Sequence, residues 1–449
     1  MGFPSRKVPA PDRAPGHIAT SKDHGRPGAP AGWLAAGAVL FAVSVLVYRQ
    51  LLSANPILWG HTDEWVYRAA GLVVRQHPAD VYRTLLGEPG AQKLPFTYPP
   101  FAALLFSLGS SASFAVWQGV LVVVNVLLLP VILYLCLHIS GRRGITGAAQ
   151  AFALAAAALW LEPVYMTMYF GQINLVLLAL AIADLALPDS CRWKGIGVGL
   201  AAGLKLTPLI FIPYLLATRR IRAGLVALLT FAATVAIGFG VLPTASRGFW
   251  SGNLASRGNS MLQNQSINGL LERLLPGHPD AHTLWVILAL TVGLAGLAAA
   301  VVASRRGLEL LGIVLTALTG LLISPISWTH HWVWALLPGL ALMVAGARRG
   351  TAQDVAVVRT RDWVARAAGL TVLLVLFGEW PRPGLVGRVR EWLPAGFLRF
   401  APHGNGLEYT WHGWWLLVGN MYLLLAALAM IGAAWYLFAV RRPGLRHPR

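Results

Sequence analysis

The sequence has few charged residues and almost no cysteine. Only 12% of its 449 residues are Asp, Glu, Lys or Arg, whereas a soluble domain carries about 25%. This scarcity excludes a soluble globular protein, and the 56% hydrophobic content points to a membrane protein instead. Cys136 and Cys191 are the two cysteines. Both fall near the predicted cytoplasmic side, so we expect no disulfide.

Acidic residues are especially scarce, with 17 Asp and Glu against 36 Lys and Arg and a net charge of +19. A basic balance of this size can indicate nucleic-acid binding, but no recognition helix or zinc-ligand spacing is present. The basic residues instead form short clusters between apolar runs, as the positive-inside rule predicts for cytoplasmic loops. We therefore expect no nucleic acid partner. The clusters lie at 142–143, 192–194, 219–222, 305–306, 348–361 and 441–449.

The apolar runs reach the roughly 20 residues that a helix needs to cross the hydrocarbon core. They are continuous and show no period-two alternation, which favours helices strongly over a β-barrel. With the basic clusters inside, they predict an all-α integral membrane bundle of about 12 transmembrane helices. The predicted spans are 33–52, 114–137, 147–166, 173–187, a two-span hairpin within 196–218, 223–242, 283–304, 308–323, 331–347, 364–380 and 414–440.

These spans divide the chain into one transmembrane domain, 33–440, and two basic cytoplasmic tails. The tail 1–32 is predicted to be disordered, and the second tail is 441–449. No cleavage site of small residues follows the first apolar run, so we expect it to remain as an anchor. The outer loops are predicted at 53–113, 243–281 and 381–412. The first contains an apolar segment, 98–108, which is too short to span and predicts a helix at the outer interface.

The first outer loop carries two adjacent carboxylates, Asp63 and Glu64. Neighbouring residues on a helix point in different directions, so only one is expected to act as a general base. We choose Asp63 for that role and place Glu64 among the substrate-binding residues. Solvated loop acids are the alternative interpretation.

Lys205 interrupts an apolar stretch between Gly203 and Pro208. A lysine inside the membrane costs about 2.5 to 3.5 kcal/mol on insertion scales, so such a residue indicates a function. A lipid phosphate is its natural counter-ion. Pairing with a buried acid or with helix carbonyls is the alternative.

Other polar residues reach the outer side under the same topology. Amide, hydroxyl and guanidinium groups suit a polyhydroxylated, anionic ligand, although loop formation also explains them. The histidines could hold a phosphate or shuttle protons; they are neighbours without a third ligand, so we expect no metal. The candidates are Tyr98, Gln172, Asn174, Arg257, Asn264, Gln265, Asn268, His330 and His331.

The order of these motifs resembles glycosyltransferase family 87, the membrane mannosyltransferases of the GT-C superfamily. The resemblance covers roughly 63–331. It is carried by Asp63-Glu-Trp-Val-Tyr67, Tyr98-Pro-Pro100, Gly171-Gln-Ile-Asn174, Gly203-Leu-Lys-Leu-Thr-Pro208 and Ser324-Pro-Ile-Ser-Trp328.

The resemblance implies a GT-C helical bundle in the plasma membrane, with membrane lipids around it and an active site facing the periplasm. It implies a polyprenyl-phosphate-mannose donor, a glycolipid acceptor and no cofactor. Asp63 would take the proton from the acceptor hydroxyl in an inverting displacement that gives an α-linked mannose. Lys205 and His330 or His331 would hold the donor phosphate and stabilise the leaving charge.

Within the family, the chain resembles mycobacterial enzymes that add α-1,2-mannose to phosphatidylinositol mannosides. A member that adds α-1,2-mannose branches to lipomannan and lipoarabinomannan is the first alternative. A lipid-linked-sugar transporter and a non-catalytic assembly partner are alternatives from other classes. We find no internal repeat, and many transporters are built from such repeats.

Overall fold

A computed structural model describes residues 29–53, 61–90, 93–252, 261–345, 355–379 and 397–439. The disordered tail predicted over 1–32 falls mainly outside these residues, but the first helix already begins at Ala29. The tail 441–449 and the candidate Arg257 lie outside the described residues.

The described residues are predominantly α-helical. Short 3₁₀ helices occupy Pro78–Asp80, Thr207–Ile210, Thr329–Trp332, Phe397–Phe400 and Leu407–Thr410. The α-helices are α1 Ala29–Ser53, α2 Thr62–Gln76, α3 Pro100–Gly109, α4 Phe114–Ile139, α5 Gly144–Ala158, α6 Glu162–Phe170, α7 Asn174–Ala186, α8 Ile196–Leu204, α9 Phe211–Ala217, α10 Ile221–Val241, α11 Pro243–Ser251, α12 Ile267–Leu274, α13 Ala281–Arg305, α14 Glu309–Ile323, α15 Val333–Ala345, α16 Val355–Phe377, α17 Trp414–Val418 and α18 Met421–Ala439.

Five of the described helices are long and apolar enough to cross a membrane. They also expose large apolar side chains, such as Leu229 at 68% and Leu294 at 72%, which lipid can cover. The all-α membrane class is therefore confirmed. The five segments are Pro30–Gln50, Phe114–Ile139, Ile221–Val241, Ala281–Arg305 and Met421–Ala439.

The predicted hairpin around Lys205 is present. Helix α8 ends at Leu204, and the chain continues through the 3₁₀ turn Thr207–Ile210 into α9. Both ends of this segment reach Asp189: Lys194 from one side at 2.8 Å and Arg220 from the other at 3.2 Å. The segment therefore turns back on itself, and Lys205 lies at the turn. Proline at 208 suits this turn because it has no N–H to place in a helical ladder.

Two predicted spans are not continuous helices, so those predictions were wrong in detail. The span 147–166 divides into α5 and α6 at Leu159–Leu161. Pro163 lies in the first turn of α6, where its missing N–H costs nothing. Leu161 there forms an antiparallel bridge with Gly378, and the carbonyl of Trp160 accepts from the N–H of Glu379 at 2.8 Å.

The last predicted span, 414–440, divides into α17 and α18 at Gly419 and Asn420. Gly419 packs so tightly against the ring of Trp411 that a Cβ would lie 2.1 Å from it. The side chain of Asn420 accepts from the guanidinium of Arg273 at 2.5 Å. These contacts tie the break to the segments predicted as the second and third outer loops, through Arg273 and Trp411 respectively.

The first outer loop is more structured than predicted. Helix α3 covers most of the apolar segment 98–108 and packs against α2, and its place at the membrane interface stays a prediction. Between them, β1 (Leu85–Leu86) and β2 (Leu94–Pro95) form a small antiparallel hairpin, a β element that the all-α prediction did not include. The packed loop covers one end of α4 and α8 and so builds one wall of the polar site described next.

Candidate active site

The carboxylate of Asp63 is placed by the start of α2. His61 precedes this helix in a left-handed conformation (φ 44°), and its N–H donates to the carbonyl of Tyr169 at 2.7 Å. That hydrogen bond fixes the start of α2 against the end of α6. Asp63 lies in the first turn, where the helix dipole favours a negative charge.

Gln172 is placed by the end of α6. The N–H of Gly171 donates to Met168 at 3.1 Å, and that of Gln172 donates to Thr167 at 2.8 Å. This pair of bonds is the usual helix end built around a left-handed glycine, and Gly171 has φ 66°. A Cβ there would lie 2.5 Å from the Cβ of Glu64. Glycine is therefore required both by the turn and by the close approach of α2.

Gln172 joins the acid to two tyrosines. Its amide nitrogen donates to Oδ2 of Asp63 at 2.5 Å. Its amide oxygen accepts from the hydroxyls of Tyr67 at 2.9 Å and Tyr98 at 2.8 Å. The two hydroxyls are themselves 2.6 Å apart. We call Asp63, Tyr67, Tyr98, Gln172, Asn174 and Lys205 the polar network.

Lys205 enters this network from the hairpin turn. Its ammonium donates to the hydroxyl of Tyr98 at 3.1 Å and to the side-chain oxygen of Asn174 at 2.9 Å. An ammonium has three donor positions, so described residues occupy two of them. The lysine is half-buried, and none of its described side-chain contacts is an ion pair. The remaining donor position is available to a ligand.

The two histidines lie beside this network. The carbonyl of His330 accepts from the side-chain amide of Asn174 at 3.1 Å. The His330 ring packs edge-on against Phe170 and lies 4.8 Å from the ring of His331. Both residues are buried. Among the described residues, Nε2 of His330 has no hydrogen-bond partner, and no group of three His, Cys, Asp or Glu side chains converges to hold a metal.

Glu64 does not face the same way as Asp63. Its side chain is fully buried, and Oε2 lies 3.0 Å from Nδ1 of His61. The other ring nitrogen of His61 lies 2.5 Å from the amide of Gln118. The side chain of Glu64 is thus enclosed by Gly171 and by His61, which in turn contacts α4. This burial beside His61 does not favour contact with a ligand, and the substrate-binding role of Glu64 stays a prediction.

The amides of the second outer loop bond to backbone. Asn264 accepts from the N–H of Ser327 at 2.9 Å, and Asn268 donates to the carbonyl of Pro325 at 3.1 Å. Gln265 donates to the carbonyls of Leu262 and Gly419 at 2.7 and 2.8 Å. All three side chains are buried. Asn264 and Asn268 hold the loop against the segment 324–328, and Gln265 holds it against Gly419. Their described hydrogen bonds favour a structural role, and the role in substrate binding stays a prediction.

Sequence reasoning overlooked two contributors. Tyr67 follows Asp63 by one helical turn, so its place on the same face could have been read from the i, i+4 spacing. Asn125 is a polar residue inside the apolar helix α4, which is itself a signal. Its amide donates to the carbonyl of Gln172 at 3.1 Å and supports the helix end that carries the network.

Burial raises the pKa of Asp63 above the usual carboxyl value, because desolvation penalises the charged form. The hydrogen bond from Gln172 and the charge of Lys205 oppose this rise. The other carboxylate oxygen, Oδ1, takes no hydrogen bond from a described residue. The site therefore offers a carboxylate with a raised pKa and one open acceptor, connected to an ammonium through two side chains.

The sequence is similar to known membrane glycosyltransferases. The sequence model of glycosyltransferase family 87 matches residues 96–325, a range that includes Tyr98, Gln172, Asn174 and Lys205. No solved structure matches the chain.

The curated relatives are mycobacterial. The polyprenol-phosphate-mannose-dependent alpha-(1-2)-phosphatidylinositol mannoside mannosyltransferase of Mycobacterium tuberculosis is 33% identical over 352 residues, which cover 73% of this chain and 76% of the relative. The corresponding pentamannoside mannosyltransferase of Mycolicibacterium smegmatis is 35% identical over 344 residues, which cover 70% and 78%.

These similarities extend over most of the chain and agree with its apolar helices. They favour a glycosyltransferase over the transporter and the non-catalytic assembly partner that the sequence alone left open. The chain is a membrane glycosyltransferase, and it belongs to glycosyltransferase family 87.

Proposed function

We propose that the protein transfers mannose from polyprenyl-phosphate-mannose to a phosphatidylinositol mannoside and forms an α-1,2 linkage with inversion. The relatives carry this donor and this acceptor class in their names. The observation that carries the proposal is the path from Asp63 through Gln172 and Tyr98 to Lys205. It connects a candidate base to a candidate phosphate-binding cation.

In this mechanism Asp63 is the general base. Gln172 holds Oδ2, so the carboxylate is fixed in orientation while Oδ1 remains open to the acceptor hydroxyl. Oδ1 takes the hydroxyl proton as the acceptor oxygen forms a bond to C1 of mannose. The raised pKa makes the carboxylate a stronger proton acceptor than an exposed aspartate.

The bond from C1 to the phosphate oxygen breaks on the opposite side of the sugar ring. The leaving group is polyprenyl phosphate, which carries the negative charge that develops at this oxygen. Lys205 offers its third donor position to that phosphate. His330 offers the buried Nε2, which has no partner among the described residues, while His331 supports its ring from the side. Fixed donors of this kind stabilise developing charge without reorganisation.

The proposal requires no metal or other cofactor, because the Lys205 ammonium supplies positive charge and the buried imidazole of His330 adds a neutral N–H donor. The expected outcome is that chelators leave the transfer rate unchanged. A rate that falls with chelator and returns with a divalent cation would contradict this part of the proposal.

We further propose a GT-C bundle of about 12 spans in the plasma membrane, with the polar network facing the periplasm. Helices α7 and α14 support this orientation. Helix α7 begins near the network at Asn174, and α14 ends near it at Ile323. Their opposite ends adjoin basic clusters, 192–194 and 305–306. Cysteine labelling tests the orientation. The two native cysteines are replaced, and the single variants Glu88→Cys and Arg143→Cys are treated with a membrane-impermeant thiol reagent. Labelling of intact cells is expected at Glu88 only.

The deciding experiment measures transfer of labelled mannose by purified protein in lipid nanodiscs. Polyprenyl-phosphate-mannose is the donor, and phosphatidylinositol mannosides of increasing mannose number are offered as acceptors. We expect a product that is one mannose longer than the acceptor. An α-1,2-mannosidase should remove this added mannose. Transfer only to lipomannan would favour the branching enzyme. Absence of transfer with every acceptor, from folded protein and intact donor, would refute the proposal.

A further inference from the structure

A second polar site lies at the opposite end of the bundle from Asp63. A cavity of about 370 Å³ opens between the turn that follows α9, the start of α10 and the end of α13. Helix α14 connects the two regions. It begins at Glu309, which binds Arg220 of the cavity wall, and it ends at Ile323, shortly before His330. Its 15 residues span about 22 Å. The cavity is therefore separate from the catalytic network.

Four arginines form the wall of this cavity: Arg219, Arg220, Arg222 and Arg305. Arg220 is neutralised, since it makes a bidentate pair with Glu309 at 2.6 and 2.7 Å. The second acid, Asp189, contacts both Arg220 and Lys194. The carboxylates at the cavity are thus already paired.

The other three arginines have no carboxylate partner among the described residues. Arg222 donates to the carbonyls of Asp189 and Cys191, and Arg305 donates to the carbonyl of Ala217. Arg219 is exposed in a left-handed conformation (φ 65°). The cavity consequently carries net positive charge. Arginine is the side chain best suited to bind phosphate, because its guanidinium donates in a planar fork.

The backbone adds to this field. Helix α10 begins at Ile221, inside the cavity wall, and no side chain caps it. Its first N–H groups and its dipole therefore favour an anion at the same place. The hydroxyls of Thr218 and Ser304 also line the wall, although each already donates to a protein oxygen.

An apolar stripe leads from the cavity along α10. Ile221, Leu225 and Leu229 are 50%, 48% and 68% exposed and follow one another at i, i+4 and i+8 on one helix face. This arrangement provides an apolar path for an acyl chain whose phosphate sits among the arginines. It distinguishes a lipid from a free ion, which needs only the charged wall.

We propose that this cavity binds the phosphodiester headgroup of an anionic phospholipid from the membrane leaflet opposite the catalytic site. Basic pockets between membrane helices bind anionic headgroups in this way. Binding would also brace the junction of α9, α10 and α13, since these elements meet at the cavity. The site is independent of the transfer reaction proposed above.

The test uses the full chain purified in detergent, with phosphatidylglycerol or phosphatidylcholine added. Native mass spectrometry counts bound lipid, and thermal unfolding measures stabilisation, which rises with ligand by mass action. We expect retention of phosphatidylglycerol and a higher Tm with this lipid only. The double variant Arg219→Asn/Arg305→Gln should weaken binding about 30-fold, from about 1 kcal/mol for each arginine.

The variants and controls separate the sources of such an effect. Asparagine tolerates the left-handed backbone of residue 219, so the single Arg219→Asn variant serves if the double variant fails to fold. Arg143→Asn removes an exposed arginine outside the cavity and should bind lipid as the wild type does. Equal loss in Arg143→Asn, or unchanged binding in the double variant, would overturn the site. Equal stabilisation by inorganic phosphate would overturn the lipid as its occupant.

Discussion

Gln172 and Asp63 are 109 residues apart in sequence, and yet the amide of one donates to the carboxylate of the other at 2.5 Å. The same amide accepts from Tyr98, whose hydroxyl accepts from Lys205 at 3.1 Å. The orientation of the acid and the position of the ammonium are therefore coupled through one side chain. Substitutions of Asp63, Gln172 and Lys205 should therefore change the transfer reaction in different ways.

Replacing Asp63 by asparagine should abolish transfer without unfolding the protein. Asparagine keeps the oxygen that accepts from Gln172 but cannot take a proton, and a general base contributes about 10²- to 10⁴-fold to rate. Folding should be retained because the change removes a partly desolvated charge. Initial rates of labelled mannose transfer and thermal unfolding of the purified variant measure the two effects.

The control for Asp63→Asn is Glu88→Gln, which removes an exposed carboxylate from the same loop and should leave the rate unchanged. Glu64→Gln is the informative comparison. Its side chain is enclosed beside His61, so we expect a change in stability and a much smaller loss of rate. A full loss of transfer in Glu64→Gln at normal stability would assign the base to Glu64.

The rate should depend on pH through Asp63. A base acts when deprotonated, so kcat/KM falls as pH decreases through the carboxyl pKa. Because burial raises this pKa, the acid limb should lie at a higher pH than an exposed aspartate gives. Removing the Gln172 hydrogen bond in Gln172→Leu takes away an interaction that lowers the pKa, so the limb should move higher still. An unchanged limb in this variant would contradict the assignment.

The extent of sequence prediction differs between fold and site. Helix boundaries of the long spans follow from apolar runs that must cover the bilayer, and α4 begins at Phe114 as predicted. The turn at Lys205 also followed, because basic residues at both ends and proline inside leave few alternatives. The breaks between α5 and α6 and between α17 and α18 were missed. One polar residue near each break, Glu162 or Asn420, leaves the surrounding sequence apolar enough to be predicted as one continuous span. Tertiary contacts decide where such a run bends.

A polar residue in an apolar segment is the strongest sequence signal for a candidate site. Lys205 gives that signal, and the structure joins it to Asn174 at 2.9 Å. Loop amides such as Asn264 carry no such conflict, because a solvated loop and a buried backbone anchor have the same composition. Only the partners distinguish the two cases.

Lys205 should matter for donor use. Lys205→Met keeps most of the side-chain volume but removes the charge, and loss of one fixed donor to a developing anion costs about 10²- to 10³-fold. We expect a higher KM for polyprenyl-phosphate-mannose together with a lower kcat, measured with donor varied at saturating acceptor. Lys93→Met, an exposed lysine of the first outer loop, is the matched control. Unchanged donor kinetics in Lys205→Met would remove the lysine from the mechanism.

The substitution Asn264→Leu distinguishes a structural role of this side chain from a role in substrate binding. Its oxygen accepts from the N–H of Ser327 and from the hydroxyl of Ser266 at 3.0 Å, and Asn264→Leu leaves both donors without this acceptor. An unsatisfied buried donor costs about 1 to 3 kcal/mol, so Tm should fall by several degrees. The KM values for donor and acceptor should stay within a few-fold of wild type when measured well below Tm. Gln263→Leu, at the half-buried neighbouring position, should leave Tm nearly unchanged. If Asn264→Leu instead raised the acceptor KM strongly at unchanged Tm, the amide would contact substrate, and the loop would form part of the acceptor site.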